Sequence, residues 1–346
     1  MLTYNNATLQ ELIVHFVGNP VQEEPLTLSE TVLDINPDLH ELIIKYLMHA
    51  FKPEAFYHFN TAGNVVYDAC KELFDDKGDY VKASTEIAAQ LYDVTTHPRI
   101  LSGDLFIARI GQVNLHNEFF DALVILKAEQ EDNFLQVEWT DKHNDLLIAG
   151  GYRADRVDKA CLVLSGQPSE GYRVLVVDKT NGNSAEAQYW TDAFLELEAM
   201  EDSYHHTSQY MNMTRDFVKE KFPDEFEISP ADQIAMLNRS SKFFKEKEKF
   251  EFNDFAKEVI QQPEVASAFK RFTDSYNEDD EHSITEAFDI SQAAVKKHSG
   301  MFKSVLKLDK NFHIYVHGNR QLIERGYDEE KAMNYYKVFF ANETTS

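Results

Sequence analysis

The chain has 346 residues, with 34 Lys/Arg against 59 Asp/Glu and a net charge of −25. That balance excludes a histone-like coat that neutralises phosphates over a broad basic surface, and it confines any nucleic-acid contact to a local patch. A hydrophobic fraction of 43%, with 25 Phe and 16 Tyr, supplies a packed core and excludes disorder.

The length suits two domains or one large one. Cys70 and Cys161 lie far apart, form no CxxC and fall inside apolar runs, so both are expected as buried thiols in a reducing compartment. The start, MLTYNNATLQELIVHFV, lacks the charged-then-apolar pattern of a signal peptide. No apolar run approaches the length of a membrane span. The expected address is cytoplasmic.

Along the chain, Glu11–Val17 and Leu26–Ile35 are rich in apolar and branched residues and read as extended. Asn36-Pro37-Asp38 opens a helix over Leu39–Phe51, with Leu39, Leu42, Ile43, Tyr46, Leu47 and Ala50 on one face. Helices follow near Val65–Phe74 and Asp79–Thr95, the second ended by His97-Pro98. Residues 104–178 then hold the apolar runs DLFIARIGQV, FDALVILKAEQ, FLQVEWT, DLLIAGG, KACLVLSG and YRVLVVDK. Residues 131–133 and 142–145 read as hairpin turns, and no helix-length segment separates the runs, so an antiparallel meander is predicted.

Trp190–Glu198 is ambiguous. Ser203–Phe222 is a predicted helix closed by Pro223. Ser229-Pro230 caps Asp232–Lys247, Asn253 caps Asp254–Gln262, and Pro263 precedes Glu264–Tyr276. Residues 277–282 form an acidic loop, and residues 302–340 return to strand. The fold class expected is α+β, with a central antiparallel sheet, helices in the N-terminal part and the C-terminal half, and a C-terminal β segment. The domain boundary is expected between residues 184 and 185.

P-loop, dinucleotide-binding, nucleophile-elbow and HExxH motifs are absent from the sequence, as is zinc spacing of Cys and His, which lowers the expectation of an enzyme. The best metal candidate is EDSYHHTSQY. Glu201 and His205 share a helical face, as do Asp202 and His206, although adjacent His point about 100° apart. A solvated helix end explains the same residues. In SSKFFKEKEKFEF, Lys242, Lys245 and Lys249 share a face with Phe243 and Phe244 inward, but Glu246, Glu248 and Glu251 dilute the charge.

Residues 296–337 differ, with nine Lys/Arg against five Asp/Glu, a local net of +4. Lys303, Val305, Lys307 and Asp309 alternate onto one strand face, and His317-Gly318-Asn319 reads as a turn. Two meanings compete. Lys296, Lys297, Lys303, Lys307, Lys310, Arg320 and Arg325 can contact a nucleic-acid backbone, or the hairpin can close the core with Lys keeping its edge soluble.

The wording of this segment, KSVLKLDKNFHIYVHGN followed by IERGYDEEKAMNYYKVFF, resembles the bacterial nucleoid-associated protein family of the NdpA type. ELIVHFVGN, LDINPDLHELIIKYLMHAF, LFIARIGQV and DALVILKAE agree in the same order, so the resemblance runs from about residue 5 to 340. It implies a non-enzymatic role at the nucleoid, with DNA bound directly or through DNA-bound partners such as topoisomerases. It carries no catalytic residues and no cofactor. The net charge favours a focused contact, recruitment by a protein partner, or mimicry of DNA by an acidic surface. A homodimer is left open.

Overall fold

The computed structural model describes residues 2–139, 143–179, 189–279, 285–302, 305–308, 312–315 and 322–342. The chain divides into two compact units, Met1–Met200 and Glu201–Ser346. The fold is α+β with a large antiparallel sheet.

The strands of the first unit are β1 (Leu2–Thr3), β2 (Thr8–Val17), β3 (Leu26–Thr27), β4 (Tyr57–Phe59), β5 (Gly103–Leu115), β6 (Glu118–Ala128), β7 (Asp132–Trp139), β8 (Asn144–Gly151), β9 (Lys159–Leu164), β10 (Arg173–Asp178) and β11 (Leu197–Ala199). Nine of them form one sheet in the order β11-β4-β10-β9-β6-β5-β2-β3, with β1 also paired to β5. The pairing of β11 with β4 ties the segment after residue 189 into this unit.

Helices cover both faces of the sheet. Leu123 and Ile125 of β6 pack with α2 (Val65–Phe74) and α3 (Tyr80–Val94), while Ala122, Val124 and Leu126 pack with α1 (His40–Met48). Strand alternation therefore feeds two cores at once. All of β9 is buried, which explains its unbroken apolar wording. Cys70 and Cys161 are unpaired thiols in the first core, and burial pushes both thiols up. Asn64 and Asp79 cap α2 and α3 by accepting from the backbone N–H of Tyr67 and Lys82, each at 2.9 Å.

Two expectations need correction here. Only Leu26–Thr27 of the 26–35 run is strand, because pairing with Phe16–Val17 stops there and residues 28–35 stay irregular. Residues 131–133 are not a hairpin turn, since β6 pairs with β5 and β9 and the chain leaves the sheet after Ala128. Instead β7 and β8 pair with each other in a two-stranded sheet of their own, an arm inserted between two neighbouring strands. Of the 142–145 junction, residue 142 lies outside the described residues.

The second unit is built on phenylalanine. Phe217, Phe244, Phe250, Phe255, Phe269 and Phe302 are buried in one cluster, with Phe250 and Phe288 stacked at 4.8 Å. The contributing helices are α4 (Ser203–Asp216), α5 (Pro230–Glu246), α6 (Pro263–Asp279) and α7 (Gln292–His298). Phe243 and Phe244 turn inward on α5, and Lys242 lies 3.9 Å from Glu246 on the solvated side. Strands β12 (Lys249–Glu251) and β13 (Ala287–Asp289), β14 (Val305–Leu308) and β15 (Phe312–Tyr315), and β16 (Ile323–Asp328) and β17 (Met333–Val338) make three antiparallel pairs.

Three further expectations shift. Pro223 does not end the helix after α4, because a π-turn over Phe217–Lys221 widens the ladder and a last turn, Phe222–Glu225, contains the proline. Asn253 is helical rather than a cap, since that helix begins at Phe252. Residues 277–279 continue α6, and residues 280–282 lie outside the described residues. Among the described residues no helix is long and apolar enough to cross a membrane.

His15 of β2 is buried. Its Nδ1 accepts from the Ser29 backbone N–H at 3.0 Å, and its Nε2 donates to Ser84 Oγ at 3.0 Å, while Ser84 Oγ donates to the Val81 carbonyl. Burial lowers its pKa from the ordinary 6.5, so the folded chain keeps it neutral. Its stabilising contribution is therefore full above that value, and falls as pH drops and the unfolded chain takes up a proton. Urea titrations between pH 7 and 5 should show His15→Gln losing less stability with falling pH than the parent, by at most about 1.4 kcal/mol per pH unit. Equal slopes would contradict the assignment.

Candidate nucleic-acid interface

Helix α7 places the first two basic residues. Ser291 caps it, its hydroxyl accepting from the Ala294 N–H at 3.4 Å, and its own N–H donates to Thr207 Oγ1 of α4 at 2.9 Å. Ala294 and Val295 are buried, which leaves Lys296 and Lys297 exposed on the last turn. Their charges complement the negative end of the helix dipole. Lys297 Nζ stands 5.7 Å from the Tyr204 ring centre, and Tyr204 and His298 rings lie 6.5 Å apart. Burial lowers the pKa of His298, and the charges of Lys297 and Arg215 lower it further.

Arg325 is exposed on β16, opposite Tyr336 of β17. Lys307 stands on β14 in register with His313. Lys303, Lys310 and Arg320, and the turn at 317–319, lie outside the described residues. The structure thus sets Lys296 and Lys297 side by side and puts Arg325 on a separate hairpin.

Several bases elsewhere are neutralised by acids. Lys247 meets Glu258 at 2.6 Å, Lys270 meets Glu286 at 2.7 Å, Arg271 meets Glu225 at 3.3 Å and Arg109 meets Asp76 at 2.5 Å. Lys296, Lys297 and Arg325 have no carboxylate partner among the described residues.

The residues Glu201, Asp202, His205 and His206 do not converge. Asp202 caps α4, its Oδ1 accepting from the His205 N–H at 2.9 Å, and the His206 ring packs 5.5 Å from that of Phe288. The His205 and His206 rings are inclined at 79°. Among the described residues no group of three or more His, Cys, Asp or Glu is placed to hold a metal ion.

A second polar centre escaped the sequence reading. Lys127 closes β6 and Lys159 opens β9, directly opposite each other, and both are buried. Lys127 Nζ donates to the Leu101 carbonyl at 2.6 Å and to Tyr189 Oη at 3.3 Å, with Glu129 at 3.5 Å. Tyr189 Oη donates on to Glu129 at 3.4 Å. Lys159 meets Asp178 at 3.0 Å, and both ammonium groups lie over the Tyr189 ring, at 5.6 and 5.5 Å. Burial pushes Lys127 down and Glu129 up, and their mutual attraction opposes both shifts. The signal was present as one charge ending each apolar run: Lys127, Lys159 and Asp178 meet at one end of the sheet once antiparallel register is applied across strands.

This centre braces one end of the sheet, and its worth can be measured. Lys127→Met should cost about 3–5 kcal/mol in urea unfolding, because buried Glu129 loses its nearest base and keeps only the more distant Lys159. Adding Glu129→Leu should recover part of the loss. A single-variant cost under about 1 kcal/mol would show that the pair carries little.

Residues 13–334 match the family described as nucleoid-associated protein YejK, nearly the whole chain. A search of curated proteins gives no match. The matched span covers most of the stretch, about residue 5 to 340, over which the sequence resemblance runs. The chain belongs to the family of nucleoid-associated protein YejK, and its role is nucleoid-associated.

Proposed function

We propose that the chain binds DNA directly, without catalysing a reaction on it, through a localised basic patch drawn from Lys296, Lys297, Lys303, Lys307, Lys310, Arg320 and Arg325. The observation that carries this reading is the exposure of Lys296, Lys297 and Arg325 with no carboxylate partner among the described residues, on a chain with a net charge of −25. Exposed lysines without an acid occur elsewhere too, but Lys296 and Lys297 stand side by side on one helix end, an arrangement suited to an external anion. Phosphate oxygens supply that anion in a regular row, which suits a cluster of basic side chains.

The acidity of the remainder sets how such a contact works. It repels the duplex everywhere except at the patch, which limits the footprint and makes binding salt-sensitive. The same acidity favours a second reading, in which a DNA-bound protein such as a topoisomerase is held by the acidic surface and the chain reaches the nucleoid by recruitment.

Fluorescence anisotropy with a labelled duplex, across a range of salt, separates the two. Direct contact through all seven residues gives a slope of log K against log salt near −6, and Lys296→Ala/Lys297→Ala/Arg325→Ala should reduce it by about 3. No binding by the parent at low salt would favour recruitment, and a slope unchanged in the triple variant would move the contact elsewhere.

A further inference from the structure

The arm formed by β7 and β8 has two unlike faces. Leu135 and Ile148 are cross-strand partners, as are Val137 and Leu146, and Trp139 stands opposite Asn144. Opposed residues share a face, so Leu135, Val137, Trp139, Leu146 and Ile148 line one side. Their exposures are 72%, 49%, 77%, 65% and 73%. The other side mixes Phe134 and Leu147, less exposed at 42% and 43%, with Gln136 and the acids Asp132, Glu138 and Asp145. A side chain added at Gly150, at the base of the apolar face, would approach the Glu131 carboxylate at 3.0 Å, which places that acid at the rim.

We infer that this face docks against the same face of a second copy of the chain, making the arm a dimerisation element. Three features select that occupant. First, an isolated two-stranded hairpin is marginally stable in water, and the apolar side chains of this one are left in solvent. Second, the five side chains offer roughly 500–700 Å² of accessible surface, judged from typical areas of aliphatic and aromatic side chains. Paired about a two-fold axis they bury roughly 1,000–1,400 Å² in total, which clears the area a specific interface needs. Third, a partner copy also carries −25, so it meets this chain most favourably at a surface without ionisable groups, and the strip from Leu135 to Ile148 is one.

The arm is also braced for such a contact. Where the chain leaves the sheet, the Glu129 N–H donates to Asp158 Oδ2 at 3.0 Å, and Gln130 accepts from Arg156. Where it returns, Arg156 meets Asp158 at 3.2 Å, and Arg153 lies 3.9 Å from Asp132 at the foot of β7. A root held at both ends presents the face with little ordering cost.

Analytical ultracentrifugation of the full chain over a dilution series should show a monomer–dimer equilibrium. Leu135→Ser/Ile148→Ser should raise the dissociation constant at least 100-fold, and Phe134→Ser on the other face should leave it within a few-fold. Emission offers an independent readout, because Trp139 is exposed while Trp190 is buried. Dilution of the parent should shift the Trp139 component to the red, and the double variant should show the shifted spectrum at every concentration, with the Trp190 component confirming that it folds. A parent that stays monomeric at tens of micromolar, or a double variant that dimerises like the parent, would overturn the inference.

Discussion

The register between β6 and β9 governs the first unit. It sets Lys127 against Lys159 at the sheet's end, where two like charges meet in a site that water does not reach. Such a pairing holds only with compensation close at hand. Glu129, Asp178 and the Leu101 carbonyl supply it, and Tyr189 lies beneath both ammonium groups. The same register has a topological consequence: β6 and β9 are neighbours in space but separated by the arm in sequence, so the intervening chain must leave the sheet and return beside its point of departure. Charged pairs near Glu129 and Asp158 secure both ends.

Acidity constrains what the protein can touch. With 59 acids against 34 bases, most of its surface repels DNA and further copies of itself. The proposed contacts escape that repulsion by different means. The C-terminal segment would do so by its local net of +4, and the apolar face of the arm by keeping its one acid, Glu131, to the rim. The two surfaces belong to different units, so they can in principle be altered one at a time. Membership of a nucleoid-associated family is compatible with an acidic chain when contact is concentrated in this way rather than spread.

Much of the fold was legible because its signals are local. Asn64 and Asp79 cap the helices that follow them, Ser229 and Asp232 form a capping box, and the apolar runs of 104–178 became strands. The arm was not legible as an arm. FLQVEWT and DLLIAGG have the branched, apolar wording of buried strands, and nothing local distinguishes a face that meets a helix from one left in solvent. Pro223 misled because a π-turn, which sequence does not announce, accommodates it. At the candidate site, Lys296 and Lys297 were legible from charge alone. The Lys127 centre was missed because, apart from the neighbours Lys127 and Glu129, its members are distant in sequence and meet only after strands are paired. Asp202 was weighed as a ligand against a solvated helix end, and its position before a helix gives it a capping role.

Hydrogen–deuterium exchange of the full chain, with and without a DNA duplex at low salt, tests the central claim most directly, since it locates the contact without substitution. The account predicts slowed exchange confined to 292–338, around α7 and the C-terminal hairpins. Slowed exchange confined to Met1–Met200, or none under conditions where binding is seen by another method, would contradict it.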